Sequence, residues 1–329
     1  MKNSRLLLII VLWMGMTSQL LGDEKENKRF FFLYDPIRAI CTSPDDSLIL
    51  CQGLLGRPRI VVAKTGEIIA PKGEFELSYA GEFLNEKTLL LSNCWEKGNE
   101  LECGFVFYSL DRKEVEKTVK GHDEPISALA VSRGGKLIAT GDSKGKLVVW
   151  NEKGEKIWST GVGRDEITAL SFSPDSRLIA CTGRNKTAPV FDALSGQEKG
   201  VIDHKSRILA LRFCGDQTVM SADFEGNINI SNLGKKTVEV KRFPDPGIIT
   251  VLSFSMDCKK VAVGNLLGNL FVYDVGKGEK TFTHQEKERI QVVAFSRDGR
   301  YLMAGVPRDN LRMLEKLGGE LSVWDLKRD

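Results

Sequence analysis

Residues 167–192 read ITALSFSPDSRLIACTGRNKTAPVFD, and residues 249–274 read ITVLSFSMDCKKVAVGNLLGNLFVYD. Each is an apolar run, a Ser-x-Asp turn, a second apolar run, a Gly-containing loop and a third run ending in an aromatic residue and Asp. Ile126, Ile167, Ile208, Ile249 and Ile290 recur every 41 residues, as do Val131, Phe172, Phe213, Phe254 and Phe295. Self-similarity at a fixed period of this length marks a repeated supersecondary unit. A weaker fourth run closes the unit, as in Glu155–Ser159. Short runs with alternating apolar residues, separated by Asp, Gly and Pro turns, are antiparallel strands. A four-stranded sheet with two apolar faces cannot bury both alone, whereas sheets packed radially about an axis bury both against their neighbours. Helix caps and helical periodicity are almost absent, so an α/β solenoid does not compete. The expected fold is all-β, a seven-bladed β-propeller of four-stranded antiparallel blades.

Five repeats are plain, at 125–166, 167–206, 207–247, 248–289 and 290–329. Ala39–Cys51 matches Ala169–Cys181, including the turn Ser43-Pro44-Asp45, and gives a blade at 36–71. The stretch 75–124 holds the runs Thr88–Ser92 and Gly104–Leu110 and makes a seventh, degenerate blade. The last repeat stops at Trp324-Asp325-Leu326, after its third strand. Residues 29–35, with Arg29-Phe30-Phe31-Phe32-Leu33-Tyr34, are expected to supply its missing outer strand, because closing the ring removes an exposed sheet edge.

Residues 1–22 read as a secretory signal peptide: Lys2 and Arg5, the apolar run Leu6–Met16, a polar stretch, then Gly22 before the charged segment 23–29. The apolar run is short for a membrane span. The domain is therefore expected to occupy 23–329, in a secreted or periplasmic (extracytoplasmic) setting, with membrane contact only through an uncleaved N-terminal segment. The chain has 47 Lys+Arg and 44 Asp+Glu, a net +3 that falls by two to +1 once Lys2 and Arg5 are removed. A near-neutral surface argues against nucleic acid, which needs a concentrated basic footprint. The seven Cys show no Cys-x-x-Cys pair and no Cys/His cluster with zinc spacing, so no metal and no cofactor is expected. Cys94 and Cys103 flank Trp95–Glu102, which reads as a hairpin loop with a disulfide across it, while Cys181, Cys214 and Cys258 read as small buried apolar residues.

Gly121-His122 stands 28 residues before Trp150, and third runs end in Trp150-Asn151, Phe191-Asp192, Tyr273-Asp274 and Trp324-Asp325. In these features the chain resembles the WD-repeat β-propellers over roughly residues 30–329. The resemblance implies four-stranded blades and a ring that serves as an interaction platform. It also implies a buried hydrogen-bonded set of His, Asp, Ser or Thr, and Trp. The Asp place of that set falls on Lys144, with Glu225 and Leu267 at its equivalents, so the set is expected to be largely missing and apolar packing to carry the stability.

His122 and His204 are 82 residues apart, two repeat lengths, and His284 lies in the corresponding region of a later blade. Repeated position points to a structural role within each blade, with His204 and Glu225 the expected pair, and Trp150 and Trp324 structural beside them. The chain has no Gly-x-Ser-x-Gly, no phosphate loop and no His-Glu-x-x-His. Asp45, Asp175, Asp257 and Asp298 share one turn position, as turn formers do. Three connections depart from the repeat: Gln52–Arg59, Asn93–Cys103 and Val306–Gly319, the last with Asn310–Leu317 suited to one or two helical turns. They belong to neighbouring blades and rise from one face, offering Arg57, Arg59, Trp95, Arg308, Asp309 and Arg312 to a partner. The expected function is a scaffold, not an enzyme, that binds a protein or peptide there. The alternative is a lactonase-like or quinoprotein-like propeller enzyme with a site at the central channel.

Overall fold

The computed structural model describes residues 27–33, 36–53, 56–98, 100–244, 246–309 and 317–327. Residues 1–22, read above as a signal peptide, lie outside them. Strand β1 (Asn27–Leu33) precedes the first blade, which holds β2 (Ile37–Thr42), β3 (Leu48–Gly53), β4 (Arg59–Val62) and β5 (Ile68–Ile69). Blade 2 holds β6 (Gly81–Phe83), β7 (Thr88–Lys97), β8 (Glu100–Ser109) and β9 (Glu114–His122). Blade 3 holds β10 (Ile126–Val131), β11 (Leu137–Asp142), β12 (Lys146–Asn151) and β13 (Lys156–Gly161). Blade 4 holds β14 (Ile167–Phe172), β15 (Leu178–Gly183), β16 (Thr187–Asp192) and β17 (Glu198–Asp203). Blade 5 holds β18 (Ile208–Gly215), β19 (Thr218–Asp223), β20 (Asn227–Asn232) and β21 (Thr237–Arg242). Blade 6 holds β22 (Ile249–Phe254), β23 (Lys260–Asn265), β24 (Asn269–Asp274) and β25 (Lys280–Gln285). Blade 7 holds β26 (Val292–Phe295), β27 (Tyr301–Asp309) and β28 (Leu317–Asp325).

Each blade is a four-stranded antiparallel sheet, and β1 is the fourth strand of blade 7. It pairs with β28 from Asn27↔Trp324 to Leu33↔Gly318, so the two ends of the chain close the ring. The fold is the seven-bladed, all-β propeller expected from the repeat, with no helix among the described residues. The first strands of neighbouring blades touch one another around the whole ring, including β26 against β2, and so line the central channel. Antiparallel order then assigns the faces. Turns between first and second strands lie at one end of the channel, called here the AB face. Turns between second and third strands, and the links between blades, lie at the other, the BC face.

The core sits between blades. Seven apolar clusters each draw residues from two neighbours; Phe105, Phe107 and Val119 of blade 2, for example, meet Ile138, Val148 and Trp150 of blade 3. The closing interface follows the same rule, with Ile49, Cys51 and Val61 of blade 1 against Met303, Leu321 and Val323 of blade 7. Fully burying one such side chain stabilises by about 1.5–3 kcal/mol. The AB turns are built by a repeated device. The hydroxyls of Ser173, Ser255 and Ser296 donate to Asp175, Asp257 and Asp298 at 2.6, 2.7 and 2.6 Å, and accept from the amides of Leu178, Lys260 and Tyr301. That fixes the turn and accounts for an aspartate at this position in each of these blades.

Three expectations are corrected. The hairpin of blade 2 is strand, not loop: β7 and β8 pair out to Lys97↔Glu100. Cys94 and Cys103 face each other in that register and form a disulfide. Blade 7 likewise extends its strands through Asp309↔Leu317, so Val306–Asp309 is strand, and 310–316, including the expected helical turns and Arg312, lies outside the described residues. Cys214 and Cys258 are not separate apolar fillers. They form a second disulfide that joins blades 5 and 6 beside their AB turns. Cys258 occupies a left-handed turn position (φ 56°), where the matching turns place Gly135 (φ 74°) and Gly299 (φ 67°).

Candidate functional site: the two mouths of the channel

The hydrogen-bonded set expected to be missing is present in two blades, displaced by two residues from the expected place. His122 Nδ1 lies 2.8 Å from Asp142 Oδ2, its Nε2 lies 2.7 Å from Thr140 Oγ1, and Trp150 Nε1 donates to the same Thr140 oxygen at 2.8 Å. His204 repeats this with Asp223 at 3.1 Å and Ser221 at 2.7 Å. The partner of His204 is therefore Asp223, not Glu225, whose own amide donates to Asp223 at 3.0 Å. The aspartate must end the second strand, where its Oδ1 also caps the following turn by accepting from Lys144 and Lys146, or from Glu225 and Asn227. Burial pushes the Asp142 carboxyl up, but His122 and the two turn amides outweigh it and hold the group below the usual carboxylate range. Neither histidine serves its own blade: His122 ends β9 of blade 2 and bonds into blade 3, and His204 follows β17 of blade 4 and bonds into blade 5. Each set ties one blade to the next. His284 differs, lying in outer strand β25 with its ring 4.9 Å from that of the buried Trp324. Two repeat lengths beyond His204, Glu286 takes the histidine's place and accepts from Ser322 at 3.1 Å.

On the BC face the expected partner-binding residues are not equivalent. Arg57 is exposed, and Arg59 is half-buried at the start of β4, donating to the Pro58 carbonyl at 2.9 Å. Trp95 is half-buried against the core between blades 1 and 2, and Lys120, paired with Glu102 at 2.7 Å, sits over its ring at 5.4 Å. That packing explains Trp95 as part of the hairpin. Arg308 and Asp309 belong to β27, and Arg312 lies outside the described residues.

Two BC-face features escaped the sequence reading. A cavity of about 380 Å³ opens at the channel mouth, where Glu166 of blade 4 meets Arg184 at 2.9 Å and Arg38 of blade 1 at 3.6 Å. Arg38 also lies over the Tyr79 ring at 5.0 Å. These solvated pairs contribute little stability, and they place polar, exchangeable contacts at the opening. The second feature is apolar. Leu267 is 71% exposed, Ile248 58%, Leu266 45% and Phe224 40%, all in BC turns or the link of the adjacent blades 5 and 6. The Leu266 amide donates to the Ile248 carbonyl at 2.9 Å, so these two form one patch.

Comparison with known proteins agrees with this architecture. The family model described as the anaphase-promoting complex subunit 4 WD40 domain matches residues 129–216. SVP1-like protein 2 of Schizosaccharomyces pombe is 39% identical over 77 residues, which is 22% of this chain and 21% of that protein. Target of rapamycin complex subunit wat1 of the same species is 23% identical over 212 residues, 63% of this chain and 66% of that one. Autophagy-related protein 18 of Saccharomyces cerevisiae is 33% identical over 90 residues, 26% of this chain and 18% of that one. The chain thus spans about a fifth of two of these relatives and 66% of the third. They correct the expected localisation: a target of rapamycin complex and autophagy are intracellular settings, which point to the cytoplasm and overturn the secreted or periplasmic reading. The four-stranded blades, the His–Asp sets that stitch them and these similarities agree with one another: the chain is a seven-bladed β-propeller that is similar to the WD-repeat proteins.

Proposed function

We propose that the protein is an interaction scaffold that holds a protein or peptide partner on the BC face. The observation that carries this is the exposed patch of Leu267, Leu266 and Ile248, with Phe224 exposed on the neighbouring blade 5. The turn itself does not ask for these residues. Its needs are met by the residue ending the second strand, Asn265, and by Gly268 (φ 83°), and the equivalent turn of blade 3 places Ser143 and Lys144 where blade 6 has Leu266 and Leu267. Apolar side chains offered to water by a rigid turn, without a folding task, mark a contact surface. Arg57, exposed on blade 1 of the same face, extends the surface with a charged contact. A relative named as a complex subunit supports the platform reading and does not favour the propeller-enzyme alternative.

The test is crosslinking and affinity capture from cells with the wild type, a Leu267→Asp/Ile248→Asp variant and an Arg57→Ala/Trp95→Ala variant, each checked to be folded by a cooperative melting transition. A protein recovered at fixed stoichiometry with wild type and lost with the Leu267/Ile248 variant supports the reading. A partner lost only with Arg57/Trp95 moves the surface to blades 1 and 2. A partner retained by both variants rejects the BC face.

A further inference from the structure

The channel is not evenly lined. One place in each innermost strand, directly before the apolar residue that repeats as Val131, Phe172 or Phe213, faces the axis. In five blades it holds a small residue: Cys41, Ala130, Ser171, Ser253 or Ala294. The two exceptions carry opposite charges, Glu82 on β6 and Arg212 on β18, and they stand three blades apart on roughly opposite sides of the ring. Both line a water-accessible cavity of about 1060 Å³ that opens at the AB face.

A second cation joins them. Arg297, in the AB turn of blade 7, donates through Nη2 to Glu82 Oε1 at 2.9 Å and through Nε to the Thr42 carbonyl at 3.3 Å. Its backbone amide donates to Asp46 Oδ1 at 2.7 Å, and Asp46 Oδ2 accepts from the Asp298 amide at 2.9 Å. Glu82 is therefore committed to Arg297, and Asp46 to the turn. Arg212 has no such partner. Its Nη1 neighbours the thioether sulfur of Met256, a weak acceptor, and no oxygen of the described residues accepts from it. A guanidinium carries five N–H donors, so Arg212 leaves most of its capacity facing the cavity. The Cys214–Cys258 disulfide holds the segments bearing Arg212 and Met256 together.

The local balance is two guanidiniums against one carboxylate. Burial raises the Glu82 carboxyl, while Arg297 and Arg212 pull it down; burial lowers the Arg212 guanidinium, and Glu82 across the channel supports its charge. Low-dielectric walls focus a fixed charge of this kind onto the enclosed water.

We propose that the AB mouth of the channel binds a small oxyanion, a phosphate or a carboxylate, held between Arg212 and the Arg297–Glu82 pair. Arg212 supplies the planar, multidentate donor fork that such oxygens accept. Arg297 supplies the second positive field from a turn already fixed by its backbone bonds. Glu82 sets the limit on affinity, because it competes with the ligand for both cations.

The competing role of Glu82 gives the test opposite signs. Inorganic phosphate and, in a separate arm, acetate are titrated into the full-length protein by calorimetry, against chloride at matched ionic strength. Saturable one-site binding is expected for at least one oxyanion, and comparison of the arms identifies which chemistry the site prefers. Arg212→Gln is expected to weaken it about tenfold or more, the loss of a charge-assisted donor pair. Glu82→Gln keeps an acceptor for Arg297, removes the rival charge, and is expected to tighten binding several-fold. Since damage to the fold weakens binding, a gain in Glu82→Gln decides the matter even where Arg212→Gln is unstable. The proposal fails if both oxyanions act no differently from chloride, if a folded Arg212→Gln binds as wild type does, or if a folded Glu82→Gln binds more weakly.

Discussion

Asp142→Ala is the sharpest perturbation of the fold, because one carboxylate serves three donors. It accepts from His122 at 2.8 Å and from the amides of Lys144 and Lys146 at 2.9 Å each. The His122 side chain is fully buried, so removing its partner leaves a ring nitrogen without water or protein to satisfy it. A stranded buried polar atom costs about 1–3 kcal/mol and a bond to a charged acceptor is worth about 1.5–3 kcal/mol, while the half-exposed turn amides recover part of their loss from water. The expected cost is about 4 kcal/mol. Asp142→Asn keeps a turn-capping oxygen, as Asn265 does for Leu267 at 3.0 Å and Asn269 at 2.9 Å in blade 6, and should cost about a third as much. At roughly 2 °C per kcal/mol for a chain of this size, calorimetry should find Asp142→Ala lower in Tm by about 8 °C and Asp142→Asn by about 3 °C. The folded carboxyl lies below its ordinary value, so its stabilisation is fully present above the unfolded pKa, near 3.9, and is lost as pH falls through the folded value. The gap between wild type and Asp142→Asn should therefore shrink as pH falls below about pH 4. Lys144→Ala is the control, since Lys144 is exposed and pairs only with Glu124 at the surface. It should stay within about 0.5 kcal/mol of wild type. Equal melting of Asp142→Ala and Lys144→Ala would refute the assignment of Asp142 to the set.

Two further outcomes follow from the backbone. Deleting residues 27–33 removes the fourth strand of blade 7 and uncovers the edge of β28 over its whole paired length, so the truncated chain should lose the cooperative transition of the entire ring; an unchanged Tm would show that β1 is not needed for closure. Gly104→Ala places a Cβ 1.9 Å from the Val119 carbonyl oxygen, where only backbone can yield, and should destabilise by about 3 kcal/mol or more in urea unfolding, with a near-neutral result showing that β8 and β9 separate easily at that point.

The ring was legible because its physics is periodic. A recurring Ile and Phe every 41 residues, a Ser-x-Asp turn between them and a final repeat short of one strand are enough to place seven blades and their closing strand. The His–Asp set was misplaced because the reading counted to a position and not to a turn. Asp142–Gly145, Asp223–Gly226 and Asn265–Gly268 share one spacing, and the left-handed glycines (φ 84°, 84° and 83°) mark the turn that the Asp or Asn must cap. The Cys214–Cys258 disulfide lay hidden for a similar reason. Its partners are 44 residues apart, one repeat plus three, so they occupy different places in the repeat and meet only because a first strand ends beside its neighbour's turn. Loop length misled in the other direction. The long insertions of blades 2 and 7 continue as paired strand, while the apolar residues proposed as a contact surface sit in the short turns and link of blades 5 and 6.

The same logic separates scaffold from function at the channel. A position repeated around a ring is under a common steric demand, since seven side chains converge on one axis and small residues fill it with least conflict. Cys41, Ala130, Ser171, Ser253 and Ala294 obey that demand. Two large ionised groups at the same level do not, and each must be desolvated in part to stay there. Structure alone would be served more cheaply by two further small residues, because an ion pair near a water-filled channel returns little stability. The arrangement does not even complete that pair. Glu82 turns to Arg297, and Arg212 meets a thioether instead of a carboxylate. A charge kept against steric and solvation cost, and left without its natural acceptor, has its physical reason in a negatively charged ligand that enters from the AB face, opposite to the surface assigned to the protein partner.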